Sequence, residues 1–324
     1  MERFEYASPT TVKEATALLG PTFNDAQILA GGTDLISLMK DFVASPKRVV
    51  NIKGIQELAG ISKTSAGIRI GAAVTLDDLS MNPLIRADFP SVITAALGVA
   101  SPQIRNMGTV AGDLCQRPRC WYFRAGHGLL AMEDGKSLVP NGENKYHAIF
   151  GAAPAYFVSA SSLAPALAAL NAHLKIASPS GVRTVAVDKF FLVPKTASDR
   201  EIDLHPNEIV TEILIPASAT KNATYEVRQK EALDWPLATA SVALKMNGAK
   251  VAAARIVMGH VAPTPWPASA AEKSLIGKSI DEASALSAGE EAVRGAQPLS
   301  QNAYKVQLAK VAVKRALLAA AGKA

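Results

Sequence analysis

Ala26-Gln-Ile-Leu-Ala-Gly-Gly-Thr-Asp-Leu35 is the stretch on which the fold turns. Residues 26–30 form an apolar run of strand length, Gly31-Gly32 breaks it, and residues 33–42 repeat apolar side chains at helical spacing. Arg48-Val-Val-Asn-Ile52 then supplies another strand. Upstream, Phe4-Glu-Tyr6 reads as a short strand. Thr11-Val-Lys-Glu14 reads as a capping box opening a helix with Val12, Ala15, Leu18 and Leu19 on one face, stopped by Gly20-Pro21. This βαβ pattern puts ligands at the strand-to-helix turn. Two glycines there let a backbone come close to a ligand. Their N–H groups and the positive end of the next helix suit a pyrophosphate, and Thr33 adds a hydroxyl. A plain turn uses the same residues, so both readings stand. Neither GxGxxG nor GxxxxGKS/T occurs, which argues against a Rossmann or P-loop nucleotide site.

A second α/β segment follows. Residues 67–71 read as a strand, 90–100 as a helix, 155–159 as a strand and 163–172 as an alanine-rich helix. Residues 174–177 and 183–187 pair around Ser180-Gly181 as a hairpin. The polar, turn-rich residues 216–223 mark a domain boundary. Beyond it, 241–245 and 252–258 read as strands and most of the rest as helix. The last helix, 304–321, has Val306, Val313 and Leu317 on one side and Lys305, Lys310 and Lys314 elsewhere.

The 324 residues are 49% apolar, enough for a large core and more than one domain. The net charge of +6 is spread along the chain without a Lys/Arg run, which gives no support to a nucleic-acid partner. No apolar stretch is long enough to span a membrane, and the start of the chain has no signal-peptide core; a cytoplasmic location is the expectation, with export inside a folded complex left open. Two cysteines, Cys115 and Cys120, cannot by themselves make a structural zinc site or hold an iron–sulfur cluster. GxSxG, HExxH and CxxC are missing and the five histidines are scattered, so a cofactor is expected to carry the chemistry.

Three further stretches carry candidate chemistry. In Ile104-Arg-Asn-Met-Gly-Thr-Val-Ala-Gly-Asp113, Gly108 and Gly112 bracket Thr109 in a loop able to wrap a cofactor, or simply to turn. Cys115-Gln-Arg-Pro-Arg-Cys-Trp-Tyr-Phe-Arg124 gathers three arginines and three aromatics. Trp121, Tyr122 and Phe123 suit a flavin wall, a partner surface or a structural loop, and Arg117 and Arg119 suit an anion. In Tyr225-Glu-Val-Arg-Gln-Lys-Glu-Ala-Leu-Asp-Trp-Pro236, Arg228 and Lys230 alternate as on a strand with one basic face, facing a phosphate or solvent.

In this order, the segments resemble the FAD-binding (medium) subunit of the xanthine dehydrogenase, CO dehydrogenase and aldehyde oxidoreductase family of molybdenum hydroxylases. The motifs that carry the resemblance include Phe4-Glu-Tyr-Ala-Ser-Pro9, Leu29-Ala-Gly-Gly-Thr-Asp34, Ile70-Gly-Ala-Ala-Val-Thr75, Ile104 to Asp113, Leu163-Ala-Pro-Ala-Leu-Ala-Ala-Leu170 and Gly259-His-Val-Ala-Pro263. Gln116 to Arg124 and Gly142-Glu-Asn-Lys-Tyr-His-Ala-Ile-Phe150 look like the aromatic-aldehyde oxidoreductase subgroup. The resemblance implies an α+β fold: a two-lobed FAD domain of the vanillyl-alcohol-oxidase type over residues 1–217, with lobes of about 1–56 and 57–217, and an α+β domain over 218–324. It implies FAD contacts from Leu29, Ala30, Gly31, Gly32, Thr33, Asp34 and Leu35. Ala100 and Ser101 would lie by the flavin ring. Gly108, Thr109, Ala111, Gly112 and Asp113 would hold the other side of the dinucleotide, and Val210 and Lys230 would close the site. No residue of this chain is expected to be catalytic. Some members of the subgroup hold a 4Fe-4S cluster on four cysteines in this insertion; with two cysteines here, none is expected.

The implied role is electron transfer: from a 2Fe-2S small subunit, through FAD, to oxygen, NAD or another external acceptor, while a molybdopterin large subunit hydroxylates the substrate. Two rivals are an independent flavin oxidase of the same fold and a cofactor-free assembly scaffold. Two departures from the family pattern motivate the second. The glycine loop often ends Gly-Gly-Asn and here ends Ala111-Gly112-Asp113. A common His-Pro-Ser-Asp is here Ser159-Ala-Ser-Ser162.

Overall fold

The protein is described by a computed structural model covering residues 1–230 and 233–323. Its first lobe is β1 (Glu5–Ala7), α1 (Val12–Ala17), β2 (Ala26–Leu29), α2 (Leu35–Lys40) and β3 (Arg48–Asn51), with the strands parallel in the order β1-β3-β2. Thr11 caps α1 by accepting from the Glu14 N–H, as the motif predicts. The reciprocal half is displaced by one residue: Glu14 accepts from the N–H and hydroxyl of Thr10. Helix α2 is shorter than predicted. Gly32 sits at φ +72°, a left-handed conformation that suits glycine, and Phe42 at +57° ends the run.

The second lobe contains β4 (Ile61–Thr64), β5 (Gly67–Gly71), α3 (Leu76–Met81), α4 (Pro83–Asp88), α5 (Pro90–Gly98), α6 (Pro102–Met107), α7 (Val110–Cys115) and α8 (Trp121–Arg124). A small hairpin, β6 (Met132–Glu133) and β7 (Lys136–Ser137), follows, then α9 (Leu163–Ala169), β8 (His173–Ser178), β9 (Gly181–Ala186), α10 (Val187–Phe190) and β10 (Ile209–Pro216). Five strands form an antiparallel sheet in the order β4-β5-β10-β8-β9. The predicted hairpin is present. The strand predicted over 155–159 is not. In that segment Tyr156 accepts from Ala148 while Ser159 donates to Ala262, so its backbone bonds go to two separate segments and no ladder forms.

After residues 217–220, β11 (Lys221–Val227), β12 (Ala238–Asn247), β13 (Lys250–Gly259) and β14 (Trp266–Pro267) make an antiparallel sheet. It is covered by α11 (Ser269–Leu275), α12 (Glu282–Val293) and α13 (Tyr304–Ala320). Residues 221–223, read as part of a polar linker, belong to β11, where Asn222 and Ala223 are buried. The basic strand face expected at Arg228 and Lys230 is not formed, because β11 ends at Val227. Glu231 and Ala232 of that motif lie outside the described residues.

Three apolar clusters hold the fold. One spans both N-terminal lobes, from Ala15 and Val50 to Leu167, Ile176 and Ile213. A second joins the C-terminal sheet to α13, whose Ala309, Ala312, Val313, Ala316 and Leu317 recur at three- and four-residue spacing. The third is small: Leu38 of α2 against Phe123, Leu129, Leu130, Ala155 and Phe157. It pins the 115–160 segment onto the helix that follows the glycine loop. Lys305, read as one of the polar-side lysines of α13, is instead among the most buried side chains. Its ammonium donates to the carbonyls of Tyr146 (3.2 Å), His147 (3.1 Å) and His260 (2.6 Å). Backbone acceptors make that position tolerable, and they leave no trace in a periodicity pattern.

Candidate cofactor site

Two glycine-bearing turns, more than seventy positions apart in sequence, meet face to face. Gly31 packs against Met107 and Gly108; a Cβ at Gly31 would run into the Met107 carbonyl carbon (2.6 Å) and the Gly108 Cα (2.9 Å). Only a residue without a side chain permits this approach. The second turn is not the open loop its glycine content suggested. It is the Gly108–Thr109 junction between α6 and α7, with Gly112 inside α7. Thr109 caps α7 by accepting from the Gly112 N–H at 3.1 Å, which leaves its hydroxyl hydrogen free to donate elsewhere.

Cavities open on either side of this pinch. One, about 170 Å³, is lined by Ala30 to Leu35, Leu38, Thr109, Ala111, Gly112, Ile202, Leu204 and Val210. The other, about 280 Å³, is lined by Thr33, Asp34, Ala100, Gly108, Thr109, Gly112, Asp113, Arg119 and Trp235. Thr33, Asp34, Thr109, Gly112 and Gln116 face both. Among the described residues, the backbone N–H groups of Gly31, Gly32, Thr33 and Asp34 have no protein acceptor. A row of free N–H groups at the waist of two cavities fits the pyrophosphate of a dinucleotide, with one half of the molecule on each side. Ala100 sits at φ +25° on the wall of the larger cavity, an unusual conformation for alanine of the kind found where a backbone is shaped for a ligand.

Of the residues expected from sequence, Ala30 to Leu35, Ala100, Gly108, Thr109, Ala111, Gly112, Asp113 and Val210 thus come together. Leu29, Ser101 and Lys230 do not line either cavity. Leu29 packs under Gly32, Ser101 caps α6 by accepting from Ile104 N, and Lys230 faces a separate cavity.

The arginine-rich segment reaches the first glycine turn through Asp34. Asp34 accepts from Arg124 Nη2 (2.7 Å), Arg119 Nη1 (3.3 Å) and the Arg117 N–H (2.8 Å), which engages its carboxylate. Arg117 pairs with buried Glu201. Tyr122 and Phe123, considered as flavin walls, are structural: the Tyr122 hydroxyl accepts from Glu143 N, and Phe123 sits in the third cluster. Trp121 lines the separate cavity. The two cysteines are free, and burial pushes the Cys115 thiol up to about 12.

Asp113 is buried and turned toward the start of α9. It accepts from the Ser161 hydroxyl, Leu163 N (3.0 Å), Ser162 N (3.4 Å) and Gln116 Nε2 (3.0 Å). Burial raises its pKa against the pull of these donors.

Several site residues escaped the sequence reading. Gln116, Ile202 and Leu204 carry no local signal. Glu226 and Arg228 form a buried ion pair packed on Gly98, just before the strained Ala100, and a side chain at Gly98 would collide with both. Burial raises the Glu226 carboxyl to about 7, against the Arg228 charge. Arg228 stands in the basic motif read from the sequence as facing a phosphate or solvent, but its pairing with Glu226 carries no local signal.

Residues 2–218 match the family described as the FAD binding domain in molybdopterin dehydrogenase, and residues 223–320 the CO dehydrogenase flavoprotein C-terminal domain. The chain is 33% identical to the carbon monoxide dehydrogenase medium chain of Hydrogenophaga pseudoflava, over 98% of this chain and 97% of that one. It is 30% identical to the aldehyde oxidoreductase FAD-binding subunit PaoB of Escherichia coli, over 96% of each. Among solved structures, it superposes on quinoline 2-oxidoreductase from Pseudomonas putida 86 with a TM-score of 0.78 at 27% identity, covering 99% of this chain and 98% of that one. The CO dehydrogenase of H. pseudoflava gives 0.76 at 32% identity, with the same coverage. With both domains matched in order and the glycine turns of the first meeting face to face, the chain belongs to the FAD-binding medium subunits of the xanthine dehydrogenase and CO dehydrogenase family.

Proposed function

We propose that this chain binds one FAD across the two glycine turns and relays electrons within a molybdenum hydroxylase. The reductant is a 2Fe-2S small subunit, the substrate is hydroxylated on a molybdopterin large subunit, and an external acceptor removes the electrons. The observation that carries this reading is the row of unpartnered N–H groups from Gly31 to Asp34 at the waist between the two cavities.

FAD would supply the redox chemistry, since its ring exchanges electrons one or two at a time. The residues of the chain bind and orient it. Gly31 and Gly32 let the backbone reach the pyrophosphate, and Thr33 and Thr109 add hydroxyl donors. Arg119, Arg124 and the Arg117 N–H keep the Asp34 carboxylate engaged, so that it does not repel the phosphates. Ala100 and Trp235 wall the larger cavity on the flavin side, and Val210, Ile202 and Leu204 wall the adenine side.

The division of labour follows. Residues 1–217 (lobes of about 1–56 and 57–217) hold the cofactor, and residues 218–324 close it from one side through Trp235. With two free cysteines and, among the described residues, no group of three or more His, Cys, Asp and Glu able to hold a metal, the chain is proposed to carry no 4Fe-4S cluster. No described helix is long and apolar enough to cross a membrane, and we place the complex in the cytoplasm.

An absorption spectrum of the purified chain, followed by acid release and identification of the cofactor, tests the reading. Flavin bands with FAD released and no broad iron–sulfur absorbance are expected. A colourless chain that FAD cannot reconstitute would refute it.

A further inference from the structure

The C-terminal domain touches the wall of the larger cofactor cavity through a pair of charges. Glu226 lies near the end of β11 and Arg228 just beyond it. Their side chains form an ion pair and are 5% and 17% exposed. The pair packs on Gly98, the last residue of α5. A Cβ at Gly98 would run into Arg228 Nη2 and Glu226 Oε2 and would stand 3.1 Å from the Glu226 carboxyl carbon. Gly98 is not in the left-handed region, so its backbone conformation does not ask for glycine. The closeness of the two charged side chains does.

Gly98 opens the turn between α5 and α6. Gly98, Val99 and Ala100 all line the larger cavity, and Ala100 holds its φ of +25° there. Within the first domain, Arg105 Nη1 donates to the carbonyls of Leu97 (3.3 Å) and Val99 (3.2 Å) on the same turn. Hydrogen bonds from one arginine and packing from a second therefore act on four consecutive residues. The second arginine comes with a cost. Glu226 Oε1 and Arg228 Nε are both buried without a hydrogen-bond partner among the described residues. Two buried charges with part of their hydrogen bonding unmet stabilise a joint poorly, and apolar side chains of similar volume would serve it at least as well. Stability alone is a weak reason for this pair, and the wall it presses on supplies another.

We propose that Glu226 and Arg228 are positioning residues for the flavin: together they press on Gly98 and set the Val99–Ala100 turn that walls the flavin side of the site. The inference rests on the FAD reading above and adds that the C-terminal domain shapes this wall from behind.

The test uses the full chain, with FAD occupancy checked by absorbance. Glu226→Gln combined with Arg228→Met removes both charges, keeps the volume and leaves no lone buried charge. Gly98→Ala pushes the turn away from an intact pair. Calorimetry reads FAD affinity, visible circular dichroism reads the surroundings of the bound flavin ring, and equilibration with a dye of known potential reads its midpoint potential. Urea unfolding of the FAD-free chain reads stability separately. The pair replacement should weaken FAD binding about tenfold, the scale of one lost backbone hydrogen bond, and should change both the dichroism and the potential, with a urea midpoint close to the parent's. Gly98→Ala should act in the same direction. Because both changes displace one turn, the triple variant should lose less affinity than the product of the separate losses. A pair-replaced chain with parental affinity, dichroism and potential overturns the inference, whether or not its urea midpoint falls, and leaves the pair as a domain joint only. Losses that multiply in full overturn it too. If the pair-replaced chain does not fold, Gly98→Ala decides: parental affinity and dichroism there sink the inference. A parent chain that takes no FAD overturns the FAD reading itself.

Discussion

Replacing Lys305 by methionine should flatten a specific part of the stability–pH profile. The ammonium is fully buried, and desolvation lowers its pKa to about 7 from an ordinary 10.5. In the unfolded chain the lysine stays protonated up to its ordinary value, so between the two pKa values the unfolded state binds more protons. Stability therefore rises with pH through this window, and below it the folded protein bears the whole cost of the buried charge. At about 1.4 kcal/mol per pKa unit, the gain between roughly pH 7 and pH 9 is about 2 kcal/mol. His147 and His260, at about 4 and about 3, stay neutral throughout. Glu226, raised to about 7, has its opposite slope at lower pH and is common to both proteins. Methionine removes the charge but also leaves the Tyr146 and His260 carbonyls without this donor, at about 1–3 kcal/mol each. The variant should thus be less stable than the parent at high pH, and the gap should shrink by about 2 kcal/mol on going down to pH 7. Urea unfolding of the full chain, followed by tryptophan fluorescence at both pH values, measures it. A gap that is the same at the two pH values would mean that Lys305 does not titrate in this window, and the account of its burial would be wrong.

Gly31→Ala should abolish FAD uptake while far-ultraviolet circular dichroism stays native, because the new methyl meets the Met107–Gly108 backbone; retained flavin absorbance after gel filtration would count against the face-to-face turns. Arg124→Ala removes the 2.7 Å contact to Asp34 and should cost about 1–3 kcal/mol of stability and weaken FAD binding measured by calorimetry. An unchanged affinity would mean that Asp34 does not need that restraint. Asp113→Asn should cost about 1–3 kcal/mol by setting an amide against the N–H groups of Ser162 and Leu163. Adding Ser162→Asp should recover much of it, and a double variant with a urea midpoint no better than the single would remove the case for compensation.

The elements that sequence reading located are those whose signals are local. The βαβ start, the Ser180-Gly181 hairpin and the final helix depend on periodicity and turn chemistry within a few residues, and all three are present. The meeting of the two turns was foreshadowed because glycine is informative on its own: Gly31 has no room for a side chain against Met107 and Gly108. What remained hidden depends on partners far away in sequence. The 155–159 segment has strand composition but no neighbour to pair with. Lys305 has the spacing of a surface lysine, yet its acceptors are carbonyls more than forty residues away on one side and more than a hundred and fifty on another. The arginines at 117–124 read as anion binders because arginine usually is one, whereas here they are spent on Asp34 and Glu201.

The two departures from the family pattern show the same limit in its sharpest form. In sequence they are independent defects, forty-nine positions apart: an extra carboxylate at Asp113 beside the cofactor, and a missing one at Ser162. Each counted toward a chain that had lost its cofactor. In space they are one contact, because Asp113 accepts from the N–H groups at 162 and 163 and from the Ser161 hydroxyl. The donors where α7 meets the start of α9 call for an acceptor, and Asp113 supplies it. The pattern that the resemblance implies, Asn at 113 and Asp at 162, would move the acceptor to the second segment, which the double variant tests. Asp113 turns its carboxyl to the α9 backbone, and burial raises its pKa there. The two departures are thus one joint in space, and together they give the scaffold reading less support than they do as two separate losses.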